Sequence, residues 1–337
     1  MTTLVTGATG HVGANLIRTL LAAGRPVRAM VRGRPIGLEG LDPRLLTTVP
    51  GDVRDPASLA RAMDGVEVVL HLAAHISISG DHGGLVHAIN VDGVRNVAEA
   101  ALAAKVRRMV HVSSIHAFCL DEGAPLDEAS PRAQHRREPA YNRSKAAGEA
   151  ALRQVIERGL DATIVNPTGI IGPHDYRPSR MGRTILQLCG RSLPALVPGG
   201  FDFVDVRDIV AGILAAEAQG ATGRNYILSG RWAAVDELAA TCRRLTGVPS
   251  PRLTAPMWLA RVGAPFVELG GKIIRREPLY TRESLEALRA NRSIKNDRAR
   301  SEIGYRPRPF ESTIRDTIQW FVEEGALPAG LLRDRAA

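Results

Sequence analysis

The chain has 337 residues, 45% of them hydrophobic and only 4% aromatic, which suits one large α/β unit with an added lobe and an aliphatic core. Its net charge of +9 and pI of about 10.1 come from scattered arginines, with no block of like charges and no recognition motif, so nucleic acid is not an expected partner. Three widely spaced cysteines, Cys119, Cys189 and Cys242, argue against a disulfide framework or a zinc site and fit a reducing, cytoplasmic setting.

Leu4-Val5 reads as a first strand, followed by glycines at Gly7, Gly10 and Gly13 and then by helical spacing at Val12, Leu16, Ile17, Leu20 and Leu21. The spacing is GxxGxxG, placed between a strand and an amphipathic helix. Such a turn lets backbone approach a pyrophosphate, and the helix start offers free N–H groups and a positive dipole end. Gly7, Thr9, Gly10, His11, Val12 and Gly13 are therefore candidate cofactor-binding residues.

The second strand, Val27 to Val31, runs into Arg32, with Arg34 beyond. An NAD site carries Asp or Glu at this place, whereas a guanidinium matches a ribose phosphate in charge and fork geometry. NADP(H) is the predicted cofactor, with NAD(H) as the alternative.

Strands follow at Leu45–Val49 and Val66–Leu72, then an Ala-rich helix over Asn90–Lys105 and a fifth strand at Met109–Val112. Ser113-Ser114 comes directly after that strand, where ligands bind in such sheets. A helix from Tyr141 to Arg158 places Tyr141 and Lys145 at i and i+4, on one face. A phenol is a poor acid or base at neutral pH, and a neighbouring ammonium favours its ionised form. A serine hydroxyl on the substrate oxygen completes such a site. Ala162–Val165 is a sixth strand.

This β-α alternation predicts a doubly wound parallel Rossmann sheet with a smaller, mixed C-terminal substrate lobe. Beyond Asn166-Pro167, glycine and proline become frequent. Residues 204–230 return to the sheet with a helix at Ile209–Ala216 and a strand at Tyr226–Leu228. The expected division is a dinucleotide-binding unit over 1–170, rejoined by 204–230, and a substrate-binding lobe over 171–203 and 231–330. The latter part of that lobe reads as mixed helix and loop, and residues 331–337 as a frayed end.

No apolar stretch is long enough to span a bilayer, and nothing resembles a signal peptide. Residues 256–274 come nearest but are interrupted by Arg261, Glu268 and Lys272. They read as a helix covering the substrate cleft, with a membrane-surface helix as the alternative. His71, His75, His82, His87, His111 and His116 lack metal-ligand spacing, so no metal is expected. His75, His116 and Met181 are candidate substrate neighbours. The mixture of apolar and small residues along 172–200 suits an apolar or weakly polar ligand, although Arg177, Arg180 and Arg183 are able to bind an anion.

The motifs TGATGHVG at 6–13, GDVRD at 51–55, HLAA at 71–74, NVDGVRN at 90–96, VSS at 112–114, YNRSK at 141–145, NPTGIIGP at 166–173 and EIGYRPRP at 302–309 together resemble the extended short-chain dehydrogenase/reductase family. The resemblance covers nearly the whole chain and is nearest the dihydroflavonol-reductase-like branch, with likeness also to the hopanoid-associated sugar epimerase group. It implies that Asp52 and Val53 flank the adenine and that Leu72, Ala73 and Ala74 line the middle of the cofactor. It implies that Asn90 braces the site, Ser114 is the catalytic serine, and Tyr141 is the acid/base. Lys145 would hold the nicotinamide ribose and tune Tyr141, with Asn166, Pro167 and Thr168 beside the nicotinamide. It also implies a homodimer through the helices at 90–105 and 141–158. At Phe203-Val204-Asp205-Val206-Arg207-Asp208, Asp205 stands for the family's usual His and Arg207 for an Asp.

Three functions compete. The first is NADPH-dependent reduction of a ketone or aldehyde, reversible as alcohol oxidation. The second is a nucleotide-sugar epimerase or dehydratase with tightly held NAD(P). The third is a non-catalytic dinucleotide binder, against which the intact Ser-Tyr-Lys set argues.

Overall fold

A computed structural model describes residues 1–78, 80–120, 125–259, 288 and 293–333. The strands of the main sheet are β1 (Thr2–Thr6), β2 (Val27–Val31), β3 (Leu46–Pro50), β4 (Val66–His71), β5 (Arg108–Val112), β6 (Ala162–Pro167) and β9 (Asn225–Leu228). They are all parallel and lie in the order β3-β2-β1-β4-β5-β6-β9. Every residue of β5 and β6 is buried, as a strand covered on both faces requires.

One face of the sheet is covered by α1 (His11–Ala22) and α7 (Val206–Gln219), through Leu16, Ile17, Leu20, Ile209 and Ile213. The other is covered by α2 (Pro56–Met63), α4 (Gly93–Ala103) and α5 (Ala140–Ile156), through Leu59, Met63, Val97, Leu152 and Val155. Asp55 caps α2 by accepting from the Ala57 N–H at 3.0 Å, and Pro56 fills the first helical position. The expected helix over 90–105 begins differently. A single α turn, α3 (Leu85–His87), leads into a π turn at Ala88–Asp92 before α4, and Asn90 sits in that π turn.

A second, three-stranded sheet was not foreseen. It has the order β10-β8-β7, from β7 (Gly169–Ile171), β8 (Gly200–Asp205) and β10 (Arg231–Ala234), with β7-β8 parallel and β8-β10 antiparallel. Around it pack α6 (Arg180–Cys189), α8 (Val235–Thr246) and α10 (Phe310–Glu323), burying Ile185, Leu238, Ile314, Ile318 and Phe321. Between α8 and α10 lies α9 (Asp297–Ile303), which packs with α7.

The departures at Asp205 and Arg207 have a structural use. Asp205 caps α7 and pairs with Arg207, which also reaches Asp316 on α10 at 2.7 Å. Arg308 donates to Asp208 through its backbone N–H at 2.7 Å and its Nε at 2.9 Å. The C-terminal motif closes onto the sheet as well, since Tyr226 donates to Glu302 at 2.9 Å and Tyr305 donates to the Ser229 carbonyl at 3.1 Å. The segment 256–274 lies outside the described residues from position 260 onward, as do residues 334–337. Among the described residues, no helix is long and apolar enough to cross a membrane, and no group of His, Cys, Asp or Glu is placed to hold a metal.

Candidate active site

The strand order reverses between β1 and β4, and a crevice opens there at the carboxyl ends of the strands, where ligands bind in such sheets. The cleft measures about 1490 Å³, room for a dinucleotide and a second molecule. It is lined by Gly7, Thr9, Gly10, His11, Val12 and Gly13 from the first turn, and by Arg32, Arg34, Asp52 and Val53 at one end. Its middle is walled by Leu72, Ala73, Ala74, Ser113, Ser114, Tyr141, Lys145, Pro167 and Thr168, and its far end by His116, Met181 and Phe201.

The glycine turn fits a pyrophosphate on its own geometry. Gly7 has φ +69°, and a Cβ there would stand 2.7 Å from the Ala73 nitrogen. A Cβ on Gly13 would stand 2.3 Å from the Gly7 carbonyl oxygen, so loop and helix close only without side chains. Helix α1 starts at an N-cap, Gly10, that supplies no side-chain hydrogen bond, and has no acidic residue in its first turn. Its free N–H groups and positive end therefore face the cleft without an internal anion. The His11 ring is tied to the Pro173 carbonyl, its Nε2 donating at 3.0 Å, and Asn15 donates to the same oxygen at 2.9 Å. At the end of the cleft that holds Arg32 and Arg34, Asp52 is engaged by Arg54 (Nη2 at 2.7 Å), whose hydrogen bond holds the carboxyl below its usual range.

Tyr141 and Lys145 leave α5 one turn apart. Burial pushes the Tyr141 phenol up from its ordinary pKa, opposed by a hydrogen bond with Ser114 and by the charge of Arg180. The sequence expectation gave that opposing part to Lys145. Instead the Lys145 ammonium is buried and donates to the Val112 carbonyl at 3.3 Å. Burial lowers Lys145 to about 8, with Glu149 pulling the other way. Arg180 enters the picture because it opens α6 and lines the cleft; the sequence offered it as an anion contact, not as a neighbour of Tyr141.

Under this wall His71 and His111 stack with centroids 5.1 Å apart, and Thr6 bonds His71 Nδ1 at 2.6 Å. Burial and the nearby Lys145 charge hold His71 down at about 3 and His111 well below its usual value, so both are neutral packing groups. His116 meets Tyr141 edge-on at 5.7 Å, and burial lowers its pKa to about 4. The Ser113 hydroxyl is buried, lines the cleft and has no hydrogen-bond partner in the protein, as a ligand-facing group would.

Three of the candidate site residues, Asn90, His75 and Asn166, stay outside the cleft lining. Asn90 accepts from the His75 N–H at 2.8 Å and donates to the His75 carbonyl at 2.9 Å and to Ser144 at 2.9 Å, so it braces the loop after β4. His75 itself lies against His82, with ring nitrogens 3.0 Å apart. Asn166 is fully buried, and its amide is committed to the Ser114 carbonyl at 3.0 Å and to Glu149 at 2.7 Å. It reaches the cleft only through Ser114 and the following Pro167-Thr168. The Thr168 hydroxyl donates to the buried Asp202 at 2.6 Å, and burial raises Asp202 to about 6.

The chain is similar to known proteins over most of its length. The profile of the NAD-dependent epimerase/dehydratase family matches residues 3–229. The chain is 39% identical over 330 residues to sterol demethylase protein B of Methylococcus capsulatus, covering 97% of this chain and all of that protein. A Synechocystis protein provisionally named dihydroflavonol 4-reductase is 33% identical over 328 residues, with 95% of this chain and 94% of that one covered. The crystal structure of gox2253 superposes with a TM-score of 0.82 at 33% identity, over 97% of this chain and 99% of the other. The chain belongs to the NAD-dependent epimerase/dehydratase family, within the extended short-chain dehydrogenase/reductases.

Proposed function

We propose that the protein is an NADP(H)-dependent reductase of a ketone or aldehyde, working in reverse as an alcohol dehydrogenase. The carrying observation is one cleft that joins Arg32 and Arg34 at the adenosine end to the Ser114-Tyr141 pair at the other. The nicotinamide, when bound, supplies or accepts the hydride. Ser113 and Thr168 stand at the wall where it would rest, and Lys145 is the cation beside its ribose. Ser114 and Tyr141 together hold the substrate oxygen, and Tyr141 gives its proton to that oxygen during reduction and takes it back during oxidation. The Lys145 ammonium is buried beneath this wall, while the half-buried Tyr141 phenol faces the cleft where the substrate would cover it.

The substrate rests on the lobe formed by 171–203 and 231–330, against Met181 and Phe201. These apolar walls favour an apolar or weakly polar carbonyl compound. The names of the two relatives, a sterol demethylase and a dihydroflavonol reductase, support that class. The small number and wide spacing of the cysteines Cys119, Cys189 and Cys242 support a reducing, cytoplasmic setting, and α4 and α5, side by side on one face of the sheet, offer the surface for a homodimer.

Cofactor choice tests the Arg32 assignment. A charge-assisted bond to a phosphate contributes about 1.5–3 kcal/mol, so NADPH should bind about ten- to a hundredfold more tightly than NADH. Arg32→Ser should erase most of that difference in a fluorescence titration. Equal affinity of the unmodified protein for the two cofactors would refute the assignment.

The second reading is a nucleotide-sugar epimerase or dehydratase, which Arg177, Arg180 and Arg183 along the far cleft would serve as diphosphate contacts. It requires a cofactor that copurifies and is regenerated each turnover, whereas the reductase consumes one NADPH for each alcohol formed.

A further inference from the structure

Glu149 follows Lys145 by one helical turn and Tyr141 by two on α5. It is 1% exposed and does not line the cleft. Its Oε1 accepts from Asn166 at 2.7 Å, its Oε2 accepts from Asn225 at 3.0 Å, and Arg132 stands 3.6 Å away. Asn225 also donates to the Asn166 side-chain oxygen Oδ1 at 2.7 Å, so both amides are locked in orientation. Burying a carboxylate carries a desolvation penalty that well-packed apolar residues of the same volume would avoid. The other end of the network shows what the carboxylate is positioned to do. The amide of Asn166 that holds Glu149 also holds the carbonyl of Ser114, the residue whose hydroxyl meets Tyr141.

The second link is electrostatic. Lys145 lies near enough to His71 on β4 and His111 on β5 for its charge to help keep both neutral, and burial favours loss of its own proton. Glu149 is the group that opposes this loss. Around Glu149 itself stands Arg132, whose own surroundings include Arg153, Arg298 and Glu128.

We propose that Glu149 is a positioning residue for the reaction, fixing Ser114 through Asn166 and holding the positive charge on Lys145. The inference rests on the reading that Tyr141 carries proton transfer, with Ser114 on the substrate oxygen and Lys145 as the cation beside the nicotinamide ribose. A protonated Lys145 is present below its pKa and lost as pH rises through it. Removing the Glu149 charge lowers that pKa, so the alkaline limb of activity moves to lower pH.

The test is the titration of Lys145 in protein labelled at lysine and loaded with NADPH, read by NMR. The chain has four lysines, so Lys145→Arg assigns the signal. Glu149→Gln should lower the Lys145 midpoint by about one unit or more, the usual effect of one nearby opposite charge. The alkaline limb of kcat should move with it. Glu149→Asp keeps the charge but shortens the reach to Asn166. It should leave the limb in place while lowering kcat at least several-fold, and it carries the test if the glutamine variant does not fold. An unchanged Lys145 midpoint in Glu149→Gln, or an unchanged kcat in Glu149→Asp, would overturn the proposal. Because the NMR midpoint is independent of turnover, it fails separately from the reductase reading, which fails if Tyr141→Phe remains active.

Discussion

At the scale of single residues, the site is a set of side chains whose protonation is set by burial and one or two neighbours. Tyr141 is pushed up by burial and held back by Ser114 and Arg180. Ser114→Ala should therefore raise the phenol further and remove a contact to the substrate oxygen, lowering kcat about a hundredfold or more, with cofactor affinity nearly unchanged. A stopped-flow comparison of hydride transfer in the two proteins checks this, and equal rates would remove Ser114 from the chemistry. The serine pair and the arginine after β2 were legible in the sequence because each directly follows a strand, and the Tyr-Lys pair because residues at i and i+4 share one face of a helix. Glu149 was not. A glutamate on a helix reads as solvated, and only the approach of Asn166 and Asn225, 17 and 76 residues further on, buries it. The role first expected for Lys145 shows the same limit, since spacing puts Lys145 beside Tyr141 but does not tell that its ammonium turns to the Val112 carbonyl.

At the scale of elements, the glycine turn and α1 form a unit that tolerates almost no added atoms. Gly13→Ala would set a methyl 2.3 Å from the Gly7 carbonyl oxygen, which the turn has no room to accept. The variant should lose cofactor binding by about tenfold or more and melt at lower temperature; wild-type affinity in a titration would show that the turn does not hold the pyrophosphate. The main-sheet strands were readable because they are short runs of Val, Leu and Ile buried on both sides, separated by helical spacing. The strands of the second sheet were not. Gly169–Ile171 has three residues, Gly200–Asp205 opens on a glycine after Pro198-Gly199, and Arg231–Ala234 lies in what reads as helix and loop. Their pairing partners are far apart in the chain, so no local pattern announces them. The π turn at Ala88–Asp92 is hidden for a similar reason, because it inserts one residue's worth of rotation into an otherwise ordinary helical run.

At the scale of the whole molecule, folding stores several histidines in a neutral state. His71 is held at about 3, and His116 and His174 at about 4, against an unfolded value near 6.5. A depressed folded pKa contributes stability above the unfolded pKa that is lost as pH falls through the folded one. For the fully buried His71 the slope is about 1.4 kcal/mol per pH unit below 6.5. Asp202, raised to about 6, acts in the opposite sense between about 6 and 4, but it is one group against several. The melting temperature should therefore fall steadily from pH 7 to pH 4.5 in a calorimetric series, and a flat profile would contradict these burials. Fold class and the placing of the cleft at the strand reversal were legible from β-α alternation and the glycine turn. The ion network that ties α7 to α10 through Asp205, Arg207 and Asp316 was not, since it depends on residues more than a hundred positions apart. All three scales converge on Tyr141, and the most direct measurement is nicotinamide absorbance over time with NADPH and a panel of apolar ketones and aldehydes. NADPH consumption should be matched by alcohol formed, and should fall by about a hundredfold or more in Tyr141→Phe while that variant still binds NADPH. Undiminished consumption in the variant, or conversion of a nucleotide sugar with no NADPH consumed, would contradict the reductase reading.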